Sequence, residues 1–264
     1  MIRSDLHTHT TLCDGANTPR EMVEAALARG MELIGFSAHS VTPFDRSYCL
    51  RDEAGYVREV LALRREYAGR IRVLCGLELD AYGTAGFQPD YVIGSVHYLR
   101  RGERYFPVDL SKESLTQTIA QIFDGDPLRA ADAYYRTLRE MVHRTAPTVI
   151  GHFDLLTKFE GIIDENAPEY QRIVSDTLDA VLPVCRLFEL NTGTMSRGYR
   201  TTPYPAPWIL HELRKRGAAV ILSSDAHRAE ALEYGFEQSL SLLRACGFRE
   251  ITVMKAPGLT TLCI

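Results

Sequence analysis

Residues 2–38 read IRSDLHTHTTLCDGANTPREMVEAALARGMELIGFSA, and this stretch decides the fold class. Short runs near 2–9 and 32–38 read as strands, and the segment between them reads as one sharply bounded helix. Thr18-Pro19-Arg20-Glu21 offers an N-cap, a proline at the first helical position and a glutamate placed to bond back to the cap. Gly30 supplies the stop. A strand, a helix and a second strand joined this closely pair their strands in parallel, with the helix as the crossover.

The same rhythm continues along the chain. Further strand-like runs lie near 70–79, 91–98, 147–153, 186–191, 218–224 and 250–254, and helical patterns lie near 53–68, 112–123, 129–145, 166–182, 206–216 and 229–246. In the second helix Val57, Val60, Leu61 and Arg64 share one face by spacing. Arg214-Lys215-Arg216-Gly217 sets positive charge against the negative end of a helix dipole. No Pro/Gly/Ser-rich linker, repeat or low-complexity tract divides the chain. Seven or eight strand–helix units without a break predict one α/β domain over 1–264, closed as a TIM-like barrel. The longest departure, 99–128, predicts an elaborated loop with a short helix over one end of that barrel.

The 264 residues carry 30 Lys+Arg against 34 Asp+Glu, a formal charge of −4, with 45% hydrophobic residues. A mildly acidic chain without a basic-aromatic stripe argues against nucleic-acid binding. No stretch reaches the roughly 18–20 apolar residues of a membrane span. MIRSDLHTHT lacks the apolar core of a secretory signal, so the expected location is cytoplasmic. Cys13, Cys49, Cys75, Cys185, Cys246 and Cys263 are scattered, with no C-x-x-C pair, which argues against a disulfide framework. Cys75 and Cys185, in apolar stretches, read as buried reduced thiols, and Cys13, close to the histidine motif, is placed to touch a metal site there.

Placement of the eight histidines carries the functional signal. His7 and His9 end the first strand, and residues two apart on a strand share a face. His39 follows LIGFSA, Glu78 follows VLCGL, His97 follows YVIGSV, His152 follows TVIG, and Asp225 and His227 follow AVILSS. All therefore sit at C-terminal strand ends, which converge on one mouth in an α/β barrel. Asp14, in the loop after the first strand, joins the same rim. His143 and His211 fall among polar residues inside helices and read as surface groups. A lone histidine at a strand end is usually a hydrogen-bonded core group. Six of them at five strand ends, with carboxylates between, point to a polymetal site. Imidazole and carboxylate donors without thiolate suit Zn, Mn or Fe in a hydrolytic role. The donors are too many for one ion and would serve two or three.

These motifs resemble the polymerase-and-histidinol-phosphatase (PHP) superfamily, whose H-x-H-T signature stands here as His7-Thr8-His9-Thr10. SVHY, GHFDL and NTGTMSRGYRTTPYP resemble its histidinol-phosphatase branch. The resemblance implies a distorted (β/α)7 barrel with a trinuclear centre. It would place His7, His9, Glu78 and Asp225 on one metal, Asp14, His39 and His227 on a second, and Glu78 (as bridge), His97 and His152 on a third. Many relatives carry a histidine where this chain has Asp14, and several carry an acidic residue where it has Ala38.

Phosphomonoester hydrolysis by a metal-bridging hydroxide is the expected chemistry, because metal binding lowers the pKa of water to about 7. Asp225 and His227 are placed to steer protons. Arg197 and then Arg200, beyond the sixth strand, are candidates to grip the phosphate with paired hydrogen bonds. Asp45, Tyr48 and Asp154 are candidate acceptors for the imidazole and ammonium groups of the substrate. Glu189 and Asn191 are candidates to support the ligands from behind. The expected reaction converts L-histidinol phosphate to L-histidinol and phosphate. The alternatives are a PHP-type esterase for a nucleotide or other small phosphomonoester, and a metal-binding barrel without turnover. Neither a membrane nor a nucleic acid is an expected partner, and the sequence leaves the oligomeric state open.

Overall fold

A computed structural model describes residues 2–264. The elements run β1 (Ser4–Asp5), α1 (Pro19–Ala28), β2 (Leu33–Phe36), α2 (Glu53–Glu66), β3 (Arg72–Cys75), β4 (Leu77–Asp80), β5 (Val92–Ser95), β6 (Tyr98–Arg101), β7 (Arg104–Pro107), α3 (Lys112–Ile122) and α4 (Pro127–Thr145). They continue β8 (Val149–Ile150), α5 (Pro168–Val181), β9 (Leu187–Asn191), α6 (Gly193–Ser196), α7 (Pro207–Lys215), β10 (Ala219–Ser223), α8 (Phe236–Ala245), β11 (Glu250–Met254) and β12 (Leu259–Cys263).

Local chemistry accounts for the first unit. Thr18 Oγ1 accepts from Glu21 N at 3.2 Å, and the Glu21 carboxylate accepts from Thr18 N at 2.8 Å, which completes a capping box. Gly30 adopts φ +74°, and Gly30 N and Met31 N donate to the carbonyls of Leu27 and Ala26. That Schellman stop turns the chain directly into β2. In α2 the core face is Tyr56, Val60 and Leu63, rather than the face through Val57, Leu61 and Arg64. Arg64 is instead drawn toward Asp90 and the Val73 carbonyl.

The strands form a parallel three-stranded sheet β1-β2-β3 and a seven-stranded sheet β12-β11-β10-β9-β8-β5-β4. Only the last pair, β11 with β12, is antiparallel in the larger sheet. The regular ladders therefore make two open sheets instead of one closed ring. Isolated parallel bridges, Thr8 to Ala226 and His39 to Glu78, tie their upper ends together. The run 70–79, expected as one strand, breaks at Gly76 into β3 and β4. Tyr91 explains the break: its ring fills the space above Gly76, and its hydroxyl donates to the carbonyls of Leu6 (2.5 Å) and Phe36 (3.1 Å). Tyr56 donates to Phe36 and Gly76 carbonyls from the other side. The splayed ladder thus keeps its buried acceptors satisfied.

Leu6, Leu33, Leu74, Ile93, Val149, Leu187 and Ile221 form one buried inner cluster drawn from strands of both sheets. Helices pack outside, with α4 contributing Tyr134, Tyr135, Leu138 and Met141 to the largest cluster. The segment 99–128 holds more order than expected: β6 and β7 form an antiparallel hairpin, followed by α3. A two-residue connection starting at Gly102, with φ +61°, allows the tight turn.

Candidate metal centre and its cavity

All nine predicted ligands meet at the C-terminal ends of the parallel strands. His7 and His9 follow β1, His39 follows β2, Glu78 lies on β4, His97 follows β5, His152 follows β8, and Asp225 and His227 follow β10. Each belongs to at least one set of three or more metal-competent side chains whose donor atoms lie within 4.8 Å of one another, and Asp14 joins them.

Glu78 is the hub, and its side chain is 1% exposed. Its Oε2 lies 3.2 Å from His7 Nε2, 3.5 Å from His9 Nε2 and 2.8 Å from His39 Nδ1. Its Oε1 lies 2.8 Å from His152 Nε2 and 3.2 Å from His97 Nε2. Asp225 Oδ1 stands 3.6 Å from His7 Nε2 and 3.3 Å from His9 Nε2. Asp14 Oδ2 stands 3.6 Å from His39 Nε2 and 3.3 Å from His227 Nε2.

Two observations test whether this donor set suits a divalent ion. His7 Nε2, His9 Nε2 and Glu78 Oε2 are buried without a hydrogen-bond partner. Such atoms cost about 1–3 kcal/mol each when nothing satisfies them, so a buried cluster of them calls for a ligand. A tetrahedral ion with nitrogen and oxygen ligands at about 2.0–2.1 Å sets its donors about 3.3–3.4 Å apart. The quartet His7, His9, Glu78 and Asp225 shows 3.2–3.6 Å. The residues fit.

The groups behind the cluster orient it. His7 Nδ1 lies 2.6 Å from Glu189 Oε1, which directs Nε2 inward. Glu189 Oε2 accepts from His152 N and from Asn191 Nδ2, both at 2.9 Å, so both candidate supporting residues are in place. Asp80 does the same for His97, with Oδ2 3.3 Å from Nδ1. The short helix α6 packs tightly here, because a side chain at Gly193 would strike Asp225 and Arg197.

Electrostatics separate the imidazoles. Burial disfavours charge on His7, yet Glu189, Glu78 and Asp225 lift its pKa well above the usual value. For His39, Glu78 and Asp14 overcome burial and raise it to about 10. Burial and the neighbouring His227 and His39 lower His9 to about 3. Burial opposes ionisation of Glu78 and Asp225, but the histidines around Glu78, and Arg197 with His7 beside Asp225, hold both carboxyls well below their ordinary range. Cys13 Sγ lies 3.6 Å from His9 Nδ1, and burial beside Asp14 pushes its thiol up to about 12. All six cysteines are free thiols.

A cavity of about 600 Å³ opens onto the cluster. Arg197 lines it, with Nη2 donating to Asp225 Oδ2 at 3.0 Å and Nη1 3.0 Å from His227 Nδ1. Arg200, expected as a second phosphate anchor, is outside the lining instead, with its guanidinium committed to Thr157 and Glu165. Asp154 is likewise away from the cavity, buried with Oδ2 accepting from Ala206 N. Asp45 and Tyr48 do line it. Sequence reading missed Lys158, whose Nζ donates to the Asp109 carbonyl at 2.7 Å and whose chain lines the cavity. It also missed the aromatic wall, where Phe44 and Tyr105 stack at 3.8 Å and Tyr98 donates to Asp45 Oδ2 at 2.6 Å. Gly102, a hairpin signal between aromatic runs, could have revealed Tyr98 and Tyr105. His143 and His211 are exposed on helices, as expected.

Known proteins resemble this chain in sequence and fold. A model of the PHP domain matches residues 5–193. The chain belongs to the PHP domain family. Among its relatives, a protein of Deinococcus radiodurans named "Probable histidinol-phosphatase" is 32% identical over 94% of this chain and 95% of its own length. The histidinol-phosphatase of Bacillus subtilis is 28% identical over 91% of this chain and 99% of its own length. The histidinol phosphate phosphatase of Lactococcus lactis, solved with Zn, L-histidinol and phosphate, superposes with a TM-score of 0.75 at 22% identity, covering 98% of each chain. Among the described residues no helix is long and apolar enough to cross a membrane.

Proposed function

We propose that this PHP-family protein is a histidinol-phosphatase, a metal-dependent phosphomonoesterase releasing phosphate from L-histidinol phosphate in histidine biosynthesis. One observation carries the reading: nine metal-type donors converge, and seven of them line a cavity whose wall presents Arg197 and Lys158 beside them. The full-length relatives named for this activity support the substrate.

Two or three divalent ions would be held by His7, His9, Glu78 and Asp225, by Asp14, His39 and His227, and by Glu78, His97 and His152. When bound, they neutralise the phosphoryl oxygens and make water available as a nucleophile near neutral pH. The chain's own residues do the rest. Asp225, ionised beside Arg197, supplies fixed negative charge and accepts hydrogen bonds rather than giving a proton. His227 links the donors to the arginine, with Nδ1 3.0 Å from both the Asp225 carbonyl and Arg197 Nη1, and Nε2 3.3 Å from Asp14 Oδ2. Arg197 orients the phosphate, and Lys158 adds a second cation. Asp45, Tyr48 and the Phe44–Tyr105 stack face the organic half of the ester.

The same reading extends to the fold. The parallel strands around the cluster act as one distorted (β/α)7 barrel and one domain, supported by the two bridges and the inner layer shared between the sheets. Its setting is the cytoplasm.

The test is phosphate release from L-histidinol phosphate beside a panel of nucleotides and simple phosphomonoesters, on protein whose metal content has been counted. Preference for histidinol phosphate with two or three ions per chain is the expected outcome. Bound metal with histidinol phosphate ignored would discard the substrate.

A further inference from the structure

Arg200 is three residues beyond Arg197 on the loop after β9, and it points the opposite way. Its side chain is 7% exposed. Nη1 donates to the Thr157 carbonyl at 3.1 Å and also to the Thr157 hydroxyl, while Nη2 reaches Glu165 Oε1 at 3.3 Å. The guanidinium lies 5.4 Å from the Tyr204 ring centre. A second tie runs parallel to it, from Ala206 N to Asp154 Oδ2 at 2.9 Å. Asn191 and Tyr204 exchange backbone hydrogen bonds at the foot of the loop.

These ties join two segments, 154–165 and 197–206, and each delivers one cation to the cavity. The first carries Lys158 and the second Arg197. Between Arg197 and Arg200 stands Tyr199, whose ring centre lies 4.7 Å from Lys158 Nζ. Loops placed by one directional clamp hold a geometry that apolar packing alone does not specify. The planar guanidinium, with its several donors, suits this task because it engages two acceptors at once.

We propose that Arg200 is a positioning residue that staples the Arg197 loop to the Lys158 loop and so fixes the spacing of the two cations that face the phosphate. The inference rests on the phosphomonoesterase reading. A small misplacement of binding groups is expensive in such a site, up to about 10²-fold for 1 Å.

The experiment compares Arg200→Met, Arg200→Lys, Arg197→Ala and the Arg197→Ala/Arg200→Met double variant as metal-loaded full-length proteins. KM for L-histidinol phosphate, the inhibition constant of inorganic phosphate, kcat, metal content and folded fraction are measured. Arg200→Met is expected to raise KM and the phosphate inhibition constant about tenfold, with kcat per metal-loaded chain within about twofold. Arg200→Lys recovers part of the loss, since an ammonium does not span both acceptors as the fork does. In the Arg197→Ala background the Arg200→Met change adds less than about twofold, because its effect runs through Arg197. Should Arg200→Met fail to fold, Glu165→Gln carries the test, moving KM and the inhibition constant the same way by a smaller factor. Unmoved KM and inhibition constant, or fully multiplicative effects in the double variant, overturn the clamp while leaving the phosphatase reading intact. A wild-type protein that hydrolyses no phosphomonoester overturns both.

Discussion

The floor of the cavity and its wall are built by different rules. On the floor, every donor except Asp14 lies on a strand or within four residues of a strand end, so the backbone ladder sets its direction. The donors crowd to 2.8–3.6 Å, and several buried atoms lack any protein partner. On the wall, the charged groups ride on loops and are already matched: Arg197 with Asp225, Lys158 with Asp109, Asp45 with Tyr98. A floor of unmatched donors needs an ion to be complete, whereas a matched wall is complete without substrate and yields contacts one at a time. Substitutions on the floor should therefore act almost all-or-none, and substitutions on the wall should act in graded steps.

Glu78→Gln should give the largest effect. One carboxylate faces five imidazoles, and the amide keeps its shape while removing the charge they share. Turnover should fall by at least about 10²–10³-fold, as for loss of a principal electrostatic group at a reacting centre. Metal analysis should find fewer ions per chain, with the far-ultraviolet circular dichroism unchanged. A Glu78→Gln protein with full metal and turnover within tenfold of wild type would erase the distinction between floor and wall.

Arg197→Ala probes the wall at the point where it touches the floor. Hydrogen bonds to charged groups contribute about 1.5–3 kcal/mol, so KM for the phosphate ester should rise about 10- to 100-fold. Metal content should stay at the wild-type value, since Arg197 approaches Asp225 and His227 as a donor and is not itself a ligand. Metal loss equal to that of Glu78→Gln would move Arg197 from the wall to the floor.

The contrast also explains what a reader of the sequence could find. His7 and His9, or Asp225 and His227, are two apart at strand ends, and strand periodicity alone aims them together. Arg197 sits on the rim by the same logic, yet Arg200, three residues on and beyond Gly198 at φ +75°, turns inward to Thr157 and Glu165. Lys158 escaped notice because its place in the cavity depends on Asp109, which is far away in the sequence. The split of the predicted strand at Gly76 was equally hidden: it depends on Tyr91, whose hydroxyl finds acceptors just beyond β1 and on β2. Periodicity is local, and these placements are not.

Protons give a subtler distinction within the floor. Without metal, His39 with a pKa of about 10, and His7 and His97 raised by their carboxylates, hold protons at neutral pH. His9, lowered to about 3, is already neutral. Ligation requires a free lone pair, so metal binding must release protons and apparent affinity must strengthen as pH rises toward 10. Each proton released contributes about tenfold in affinity per pH unit. Metal titrations by calorimetry in buffers of different ionisation heat report the number directly. A net release of zero at pH 7 would mean that the metal-free histidines are neutral after all.

The smallest effect should come from the outer wall. Asp45 is partly exposed; its Oδ1 accepts from Ser47 N and Oγ, and its Oδ2 from Tyr98. Those hydrogen bonds outweigh partial burial and keep its carboxyl below the ordinary range, so it is charged throughout the neutral region. A half-solvated ion pair contributes about 0.2–1 kcal/mol, which limits Asp45→Asn to a rise of up to about fivefold in KM for L-histidinol phosphate. The informative quantity is the ratio to an ester without a positive charge, such as p-nitrophenyl phosphate, whose KM should not change. Equal rises for both esters would mean that Asp45 supports the aromatic wall and does not read the cation. A specific rise limited to the cationic ester, with kcat and metal content unchanged, is the signature of a wall that selects the substrate while the floor performs the reaction.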